Sequence, residues 1–230
     1  MDEQEPGLRS GRDRVSGSNE RSSQAQVFDR LVQRYGLAYS DRPEQVRAAV
    51  WIAERLGVGA RVLDVGCGNG VPTACQLVDA GIQVVGIDIS PAMISAAATA
   101  VPEAALHVCD VLEFTGTGFD GAVAFFSLLM LPRSGIRQAL SVLYEAIEPG
   151  GYLVISMVEA DLDDATVTFL DTDVRVSGYH RDDLYRVVEQ AGFAVLETRV
   201  VLYRPAPTQA EPETHLYVYA QRPRVVEERA

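Results

Sequence analysis

The chain has 230 residues, 47% of them hydrophobic, which suffices for one sizeable α/β domain and excludes bulk disorder. A formal net charge of −12 argues against nucleic acid as a partner, because phosphate-tracking surfaces need cationic side chains that release counterions. All 20 basic residues are arginine, and Cys67, Cys75 and Cys109 form no Cys-x-x-Cys pair, which fits a reduced, cytoplasmic protein without a disulfide framework or zinc site.

Residues 1–23 are charged, rich in Ser and Gly, and read as a disordered tail without the apolar stretch of a secretion signal. The longest weakly polar run, Gly121 to Pro132, falls well short of the about 20 apolar residues of a membrane helix, so no membrane association is expected. A single domain is expected over 24–222, followed by a tail over 223–230. It opens with helices over Ala25–Arg34 and Pro43–Leu56, whose apolar spacing is near 3.6. A strand over Val62–Val65 enters a Gly-rich turn, and a helix over Pro72–Ala80 stops at Gly81. Strand Val84–Ile87 leads to Ser90-Pro91, an N-cap and an N1 proline that start a helix to about Ala100.

Strands Leu106–Cys109 and Phe119–Phe126 follow, then a helix over Ser134–Ile147. A Pro149-Gly150-Gly151 turn leads to strand Tyr152–Met157. A helix over Arg181–Ala191 stops at Gly192, and strands Phe193–Tyr203 and Thr214–Gln221 close the chain. Strands without polar alternation, separated by helices, imply a parallel sheet covered on both faces. No helix separates the last two strands, so the final one is expected to run antiparallel.

The turn reads Val62-Leu63-Asp64-Val65-Gly66-Cys67-Gly68-Asn69-Gly70, in which glycines permit a tight turn and a close approach of ligand to bare main chain. Asp88, eighteen residues beyond Gly70 at the end of the next strand, is placed to accept hydrogen bonds from both hydroxyls of a ribose. Together they mark an adenosine ligand. A dinucleotide fingerprint would need glycine at position 71, which is Val71. Asp64, just before the turn, would repel a pyrophosphate but attract the ammonium and sulfonium of S-adenosylmethionine.

VLDVGCGNG, VVGIDIS with PAMI, CDV, FDGAVAFFSLLMLP and IEPGGYLVIS, in that order from about residue 60 to 157, resemble the class I S-adenosylmethionine-dependent methyltransferases. The resemblance implies a Rossmann-like, doubly wound seven-stranded sheet of order 3-2-1-4-5-7-6, with strand 7 antiparallel and N-terminal lid helices over 24–57. It implies that Asp64, Gly66, Cys67, Gly68 and Gly70 form the turn around the methionine part of the cofactor and that Asp88 holds the ribose. Ile89 and Met93 would pack on the adenine, with Asp110 and Val111 at its edge. Plain core packing is the alternative for Ile89, Met93 and Val111, and capping of a short turn for Asp110. Phe126 and Ser127 would border the sulfonium and open toward the acceptor. Tyr39, with Tyr35, is a lid candidate; packing is the alternative.

Methyl transfer from a sulfonium needs mainly positioning and exclusion of water, and a base only for a poorly acidic acceptor. His107 reads as structural and His215 as exposed or at an edge. His180, where the insertion Val158–Tyr179 leads into a helix, is the candidate base, against the alternative of a solvent-facing helix start. Glu159-Ala160-Asp161-Leu162-Asp163-Asp164 reads as a solvated acidic loop and not as a metal site. No Asp/Asn-Pro-Pro-aromatic signature follows the fourth strand, which disfavours adenine, cytosine or glutamine amino groups as acceptors. The expectation is a small, largely apolar acceptor, roofed by the insertion through Leu162, Val167, Phe169 and Leu170, with protein or nucleic-acid methylation and noncatalytic cofactor binding as alternatives.

Overall fold

In the computed structural model, which describes residues 26–27, 29, 42–169, 172–204 and 212–224, Val62 and Leu63 are neighbours in β1 (Arg61–Val65) and both are fully buried. They point to opposite faces of the sheet. Val62, Val84, Val123 and Val154 pack with α1 (Pro43–Leu56) and α2 (Thr73–Asp79) on one face. Leu63, Ile87, Ala122 and Leu153 pack with α4 (Arg133–Ala146) and α5 (Arg181–Gln190) on the other. Burial on both faces is why these strands lack polar alternation. Each fully buried Leu, Ile or Val contributes about 1.5–3 kcal/mol.

The remaining elements are β2 (Gln83–Asp88), α3 (Pro91–Ala100), β3 (Ala105–Val108), β4 (Phe119–Phe125), β5 (Ile147–Val158), β6 (Leu162–Phe169), β7 (Thr172–Gly178), β8 (Ala194–Tyr203) and β9 (Glu213–Gln221). The large sheet has the order β3-β2-β1-β4-β5-β9-β8. Its first five strands pair in parallel, and β9 runs antiparallel to both β5 and β8. Without the β6–β7 insertion this is the expected order, with the final strand antiparallel.

Two local features differ from the expected elements. The Pro149-Gly150-Gly151 turn lies inside β5, where Phe119 pairs with Ile147 and Gly121 with Tyr152. The intervening residues bulge, and Arg222 satisfies their backbone by accepting from Gly150 N at 2.8 Å and donating to Gly151 O at 2.9 Å. The insertion is a β-hairpin, β6 on β7, forming a two-stranded sheet of its own. The tail over 1–23, most of the first predicted helix, Tyr35 and Tyr39 lie outside the described residues.

Gly121 sets how closely α1 approaches the sheet. A Cβ there would lie 2.9 Å from Tyr152 O and 3.0 Å from both Ile52 Cδ1 and Leu56 Cδ1. Trp51 completes the contact, edge-on to Tyr152 at 5.5 Å and tilted on Tyr219 at 4.9 Å between centroids. Gly121→Val is therefore expected to lower unfolding free energy by about 1–3 kcal/mol through overpacking, read from urea denaturation. An unchanged midpoint would show that α1 has room to retreat.

Candidate functional site

β1 ends at Val65, and the turn to α2 is fastened to β2 by Gly66 N and Cys67 N, which both donate to Ile87 O at 2.8 and 3.0 Å. Gly66 has φ +68, and a Cβ on it would lie 2.3 Å from Ser127 Cβ. Ser127 in turn donates its hydroxyl to Val65 O at 2.6 Å, locking the ends of β1 and β4 together. Gly68 has φ +55 with open space where a side chain would be, so its main chain faces the cleft bare. Its N–H donates to Asp88 Oδ2 at 3.0 Å, while Ser90 N donates to Asp88 Oδ1 at 2.9 Å. Gly70 lies behind the turn, against Val101 and Ala97.

Asp64, Gly66, Cys67, Gly68, Asp88, Ile89, Met93, Val111, Phe126 and Ser127 all line one cleft at the ends of these strands. Asp110 does not line it; its Oδ1 caps the turn that carries Val111, accepting from Leu112 N at 3.0 Å. Asp64 is 3% exposed, and its Oδ2 has no hydrogen-bond partner among the described residues. Burial, and then the charge of Asp88, raise its pKa to about 7. Burial also pushes Asp88 upward, opposed by the amides of Ser90 and Gly68. Burial and both carboxylates push the Cys67 thiol well up, which makes it a poor nucleophile. An orphaned buried carboxylate beside a second one, with open space over Gly68, fits a ligand that is cationic at one end.

A second cavity of about 300 Å³ lies under the hairpin. Leu162, Val167 and Phe169 line it as expected, together with Val174 and Val176 from β7, while Leu170 lies outside the described residues. Arg42, Phe126 and Met130 line both cavities, so the two meet at the end of β4.

The structure departs from the expected histidines. His180 is exposed at the start of α5 and lines neither cavity, because the chain there turns into the helix along the outside of the sheet. His215, expected to be exposed or at an edge, is 4% exposed and lines the hairpin cavity, since β9 is inserted between β5 and β8. Arg42, Gln45 and Thr73 also line the first cleft, with Gln45 Nε2 donating to Thr73 Oγ1 at 2.8 Å. Nothing in residue type or spacing marks these three; α1 and α2 bring them together only in three dimensions.

The acidic run is occupied by arginines. Arg181 donates to both oxygens of Glu159 at 3.1 Å, and Arg133 Nη2 donates to Asp161 at 2.6 Å. These hydrogen bonds hold both carboxyls below the usual carboxylate range. Asp163 accepts from Arg133 N at 2.8 Å, and Asp164 pairs with Arg175. Among the described residues, no group of three or more His, Cys, Asp or Glu converges as a metal site would.

Residues 24–198 match the family model described as a methyltransferase domain. The chain belongs to the class I S-adenosylmethionine-dependent methyltransferases. It is 33% identical over 186 residues to an O-methyltransferase, cnsE, of Penicillium expansum, a match covering 70% of this chain and 65% of that protein. It is 37% identical over 115 residues to a carboxy-S-adenosyl-L-methionine synthase of Chromohalobacter salexigens, covering 46% and 43%. The chain thus spans about half to two-thirds of the length of these curated relatives. Its fold is shared with the 1,6-didemethyltoxoflavin-N1-methyltransferase of Burkholderia thailandensis, solved with its acceptor and S-adenosylhomocysteine, at TM-score 0.71 and 19% identity over 96% of this chain and 93% of that one.

The native Asp64 carboxyl holds its proton more tightly than an unfolded one, whose pKa is about 3.9. Rising pH therefore costs the ligand-free protein stability between about pH 4 and 7, and the cost is complete above pH 7. Asp64→Asn should raise the melting midpoint at pH 8 while weakening S-adenosylmethionine about tenfold or more by calorimetry. Wild-type affinity in this variant would remove Asp64 from the site.

Proposed function

We propose that the protein transfers a methyl group from S-adenosylmethionine to a small, largely apolar molecule held under the hairpin. The observation that carries this reading is the meeting of the two cavities at Phe126, Met130 and Arg42. The cofactor supplies an electrophilic methyl on a sulfonium leaving group. Asp64 would hold its methionine end, with Gly68 leaving room for it, Asp88 its ribose, and Ile89, Met93 and Val111 its adenine. Asp110 would act by fixing the turn under Val111. Phe126, with Ser127 behind it, would form a side wall common to the methyl site and the acceptor cavity, leaving the methyl open to the acceptor. Reacting atoms must be brought to about 3–3.5 Å with water excluded, and the largely apolar walls of the second cavity suit that task.

A cavity of about 300 Å³ is at the lower end of the range for small-molecule sites. The insertion is one hairpin, too small for a macromolecule-docking domain, and the acidic balance disfavours polyanions. No helix among the described residues is long and apolar enough to cross a membrane. We place the protein in a reducing cytoplasm, in keeping with Cys67, Cys75 and Cys109, all free. The segment before Pro43 would act as a lid over bound cofactor. In support, Asp29 accepts from Ser90 Oγ at 2.6 Å, at the N-terminus of α3 beside Asp88.

Labelled methyl from S-adenosylmethionine should appear in a metabolite extract treated with the protein; label confined to tRNA or protein would overturn the acceptor class. Replacing residues 161–177 with a short Gly-Ser linker should leave S-adenosylhomocysteine affinity within about twofold, since the hairpin pairs only with itself, and should abolish incorporation into metabolites. Retained turnover would place the acceptor elsewhere.

A further inference from the structure

We propose that His215, oriented by Glu213, takes the proton from a hydroxyl-bearing acceptor in the hairpin-roofed cavity; this rests on reading that cavity as the acceptor site. His215 lies in β9, paired with Val158 of β5 and Val201 of β8, so its backbone is fixed on both sides. Its ring is stacked on Tyr203 at 4.6 Å and packed on Phe126 at 4.5 Å between centroids. Phe126 is the side chain shared with the cofactor cleft, so the imidazole stands one ring away from it. Nε2 lies 3.1 Å from Glu213 Oε2.

With Glu213 ionised, Nε2 carries the hydrogen and donates to the carboxylate, which leaves the Nδ1 lone pair available. Nδ1 has no hydrogen-bond partner among the described residues. The Glu213 carboxylate also balances the charge of the imidazolium formed on protonation. Arg42, which lines the same cavity with its guanidinium 5.4 Å from the Phe126 centroid, favours negative charge on an oxygen there.

This equipment selects among acceptors. A neutral amine attacks with a lone pair it already has, and its proton is shed later. A hydroxyl oxygen must lose its proton as it attacks, and an imidazole lining the cavity can take that proton where it is released. The oxygen's lone pair becomes the new O–C bond, the S–C pair leaves with sulfur as a neutral thioether, and the O–H proton moves to His215 Nδ1. It passes to solvent once the methyl ether departs.

Calorimetric titration with 2-naphthol and its ether, 2-methoxynaphthalene, in the presence of saturating S-adenosylhomocysteine tests the assignment without turnover. Wild type should bind the naphthol about fivefold or more tighter than the ether, the worth of one hydrogen bond. His215→Ala and Glu213→Gln should each reduce that preference to about twofold or less, with S-adenosylhomocysteine affinity unchanged. The half-exposed Glu213 supplies the decisive variant if His215→Ala fails to fold. Equal affinity for the two probes in wild type, or a preference that survives in both variants, overturns the proposal. Neither probe binding while S-adenosylhomocysteine does overturns the acceptor cavity as well.

Discussion

The closest approach in the site is between the main chain of Gly66 and the side chain of Ser127, where a single methyl group would sit 2.3 Å from Ser127 Cβ. β1 and β4 are neighbours whose following crossovers lead to opposite sides of the sheet, β1 toward β2 and β4 toward β5. This is the position at which an open α/β sheet leaves a crevice beyond its strand ends. Ser127 Oγ bridges the crevice to Val65 O, so the two strand ends keep one spacing. The residue before it, Phe126, has φ +53, uncommon for an aromatic residue and costing about 1–3 kcal/mol. Its N–H is held by Ser156 O at 3.1 Å and Oγ at 3.2 Å, and its ring by Tyr217 and His215. That backbone conformation lets one aromatic ring serve as a wall of both cavities.

Carboxylates in this acidic chain fall into two groups, and the difference carries information. Those in and beside the hairpin, Glu159, Asp161 and Asp164, each meet an arginine. Asp64 and Asp88 form no ion pair among the described residues, although they are far less accessible. Such an arrangement weakens the ligand-free protein, because the two buried carboxylates repel each other and Asp64 Oδ2 has no hydrogen-bond donor among the described residues. It becomes favourable only when a cation occupies the cleft. The net charge of the whole chain says little about this; the placement of two unpaired acids at the ends of adjacent parallel strands says much more.

The sheet and the cofactor turn were legible because their physical demands are local. Val62–Val65 and Val84–Ile87 are apolar on both faces, and Gly66 and Gly68 sit at backbone angles that few other residues tolerate. Asp64 and Asp88 stood out as acids that no core would retain without a use. The hairpin was hidden for the opposite reason. Leu162–Phe169 and Thr172–Gly178 alternate in type, but the acidic run Glu159–Asp164 reads as a solvated loop. What makes them strands is cross-strand pairing, such as Asp164 with Arg175 and Thr168 with Asp173 at 3.0 Å, which appears only once the register is known. His215 was misplaced by the same gap. His215, Tyr217 and Tyr219 share one face of β9, but a period of two does not say which face meets a cavity. His180 looked better placed along the chain, and its side chain points to solvent.

Arg133 explains how an insertion that pairs only with itself still holds a fixed roof. It opens α4, directly after the short helical turn Leu128–Met130 that forms the floor shared by both cavities. Its Nε and Nη2 donate to Gly178 O at 3.0 and 2.6 Å, at the exit of β7, while Nη2 and its backbone N–H reach Asp161 and Asp163 at the entry to β6. Its guanidinium also lies over the Tyr179 ring at 4.6 Å. One residue thereby ties both ends of the hairpin to the floor, and the roof is positioned without any contribution from the sheet ladder. The consequence is a division of labour. The parallel strands and their glycine turn form one cleft, and the hairpin roofs the other cavity. Side chains that point from β6 and β7 into the cavity can change without disturbing the seven-stranded sheet as long as Arg133 keeps its anchors, because no strand of that sheet pairs with them.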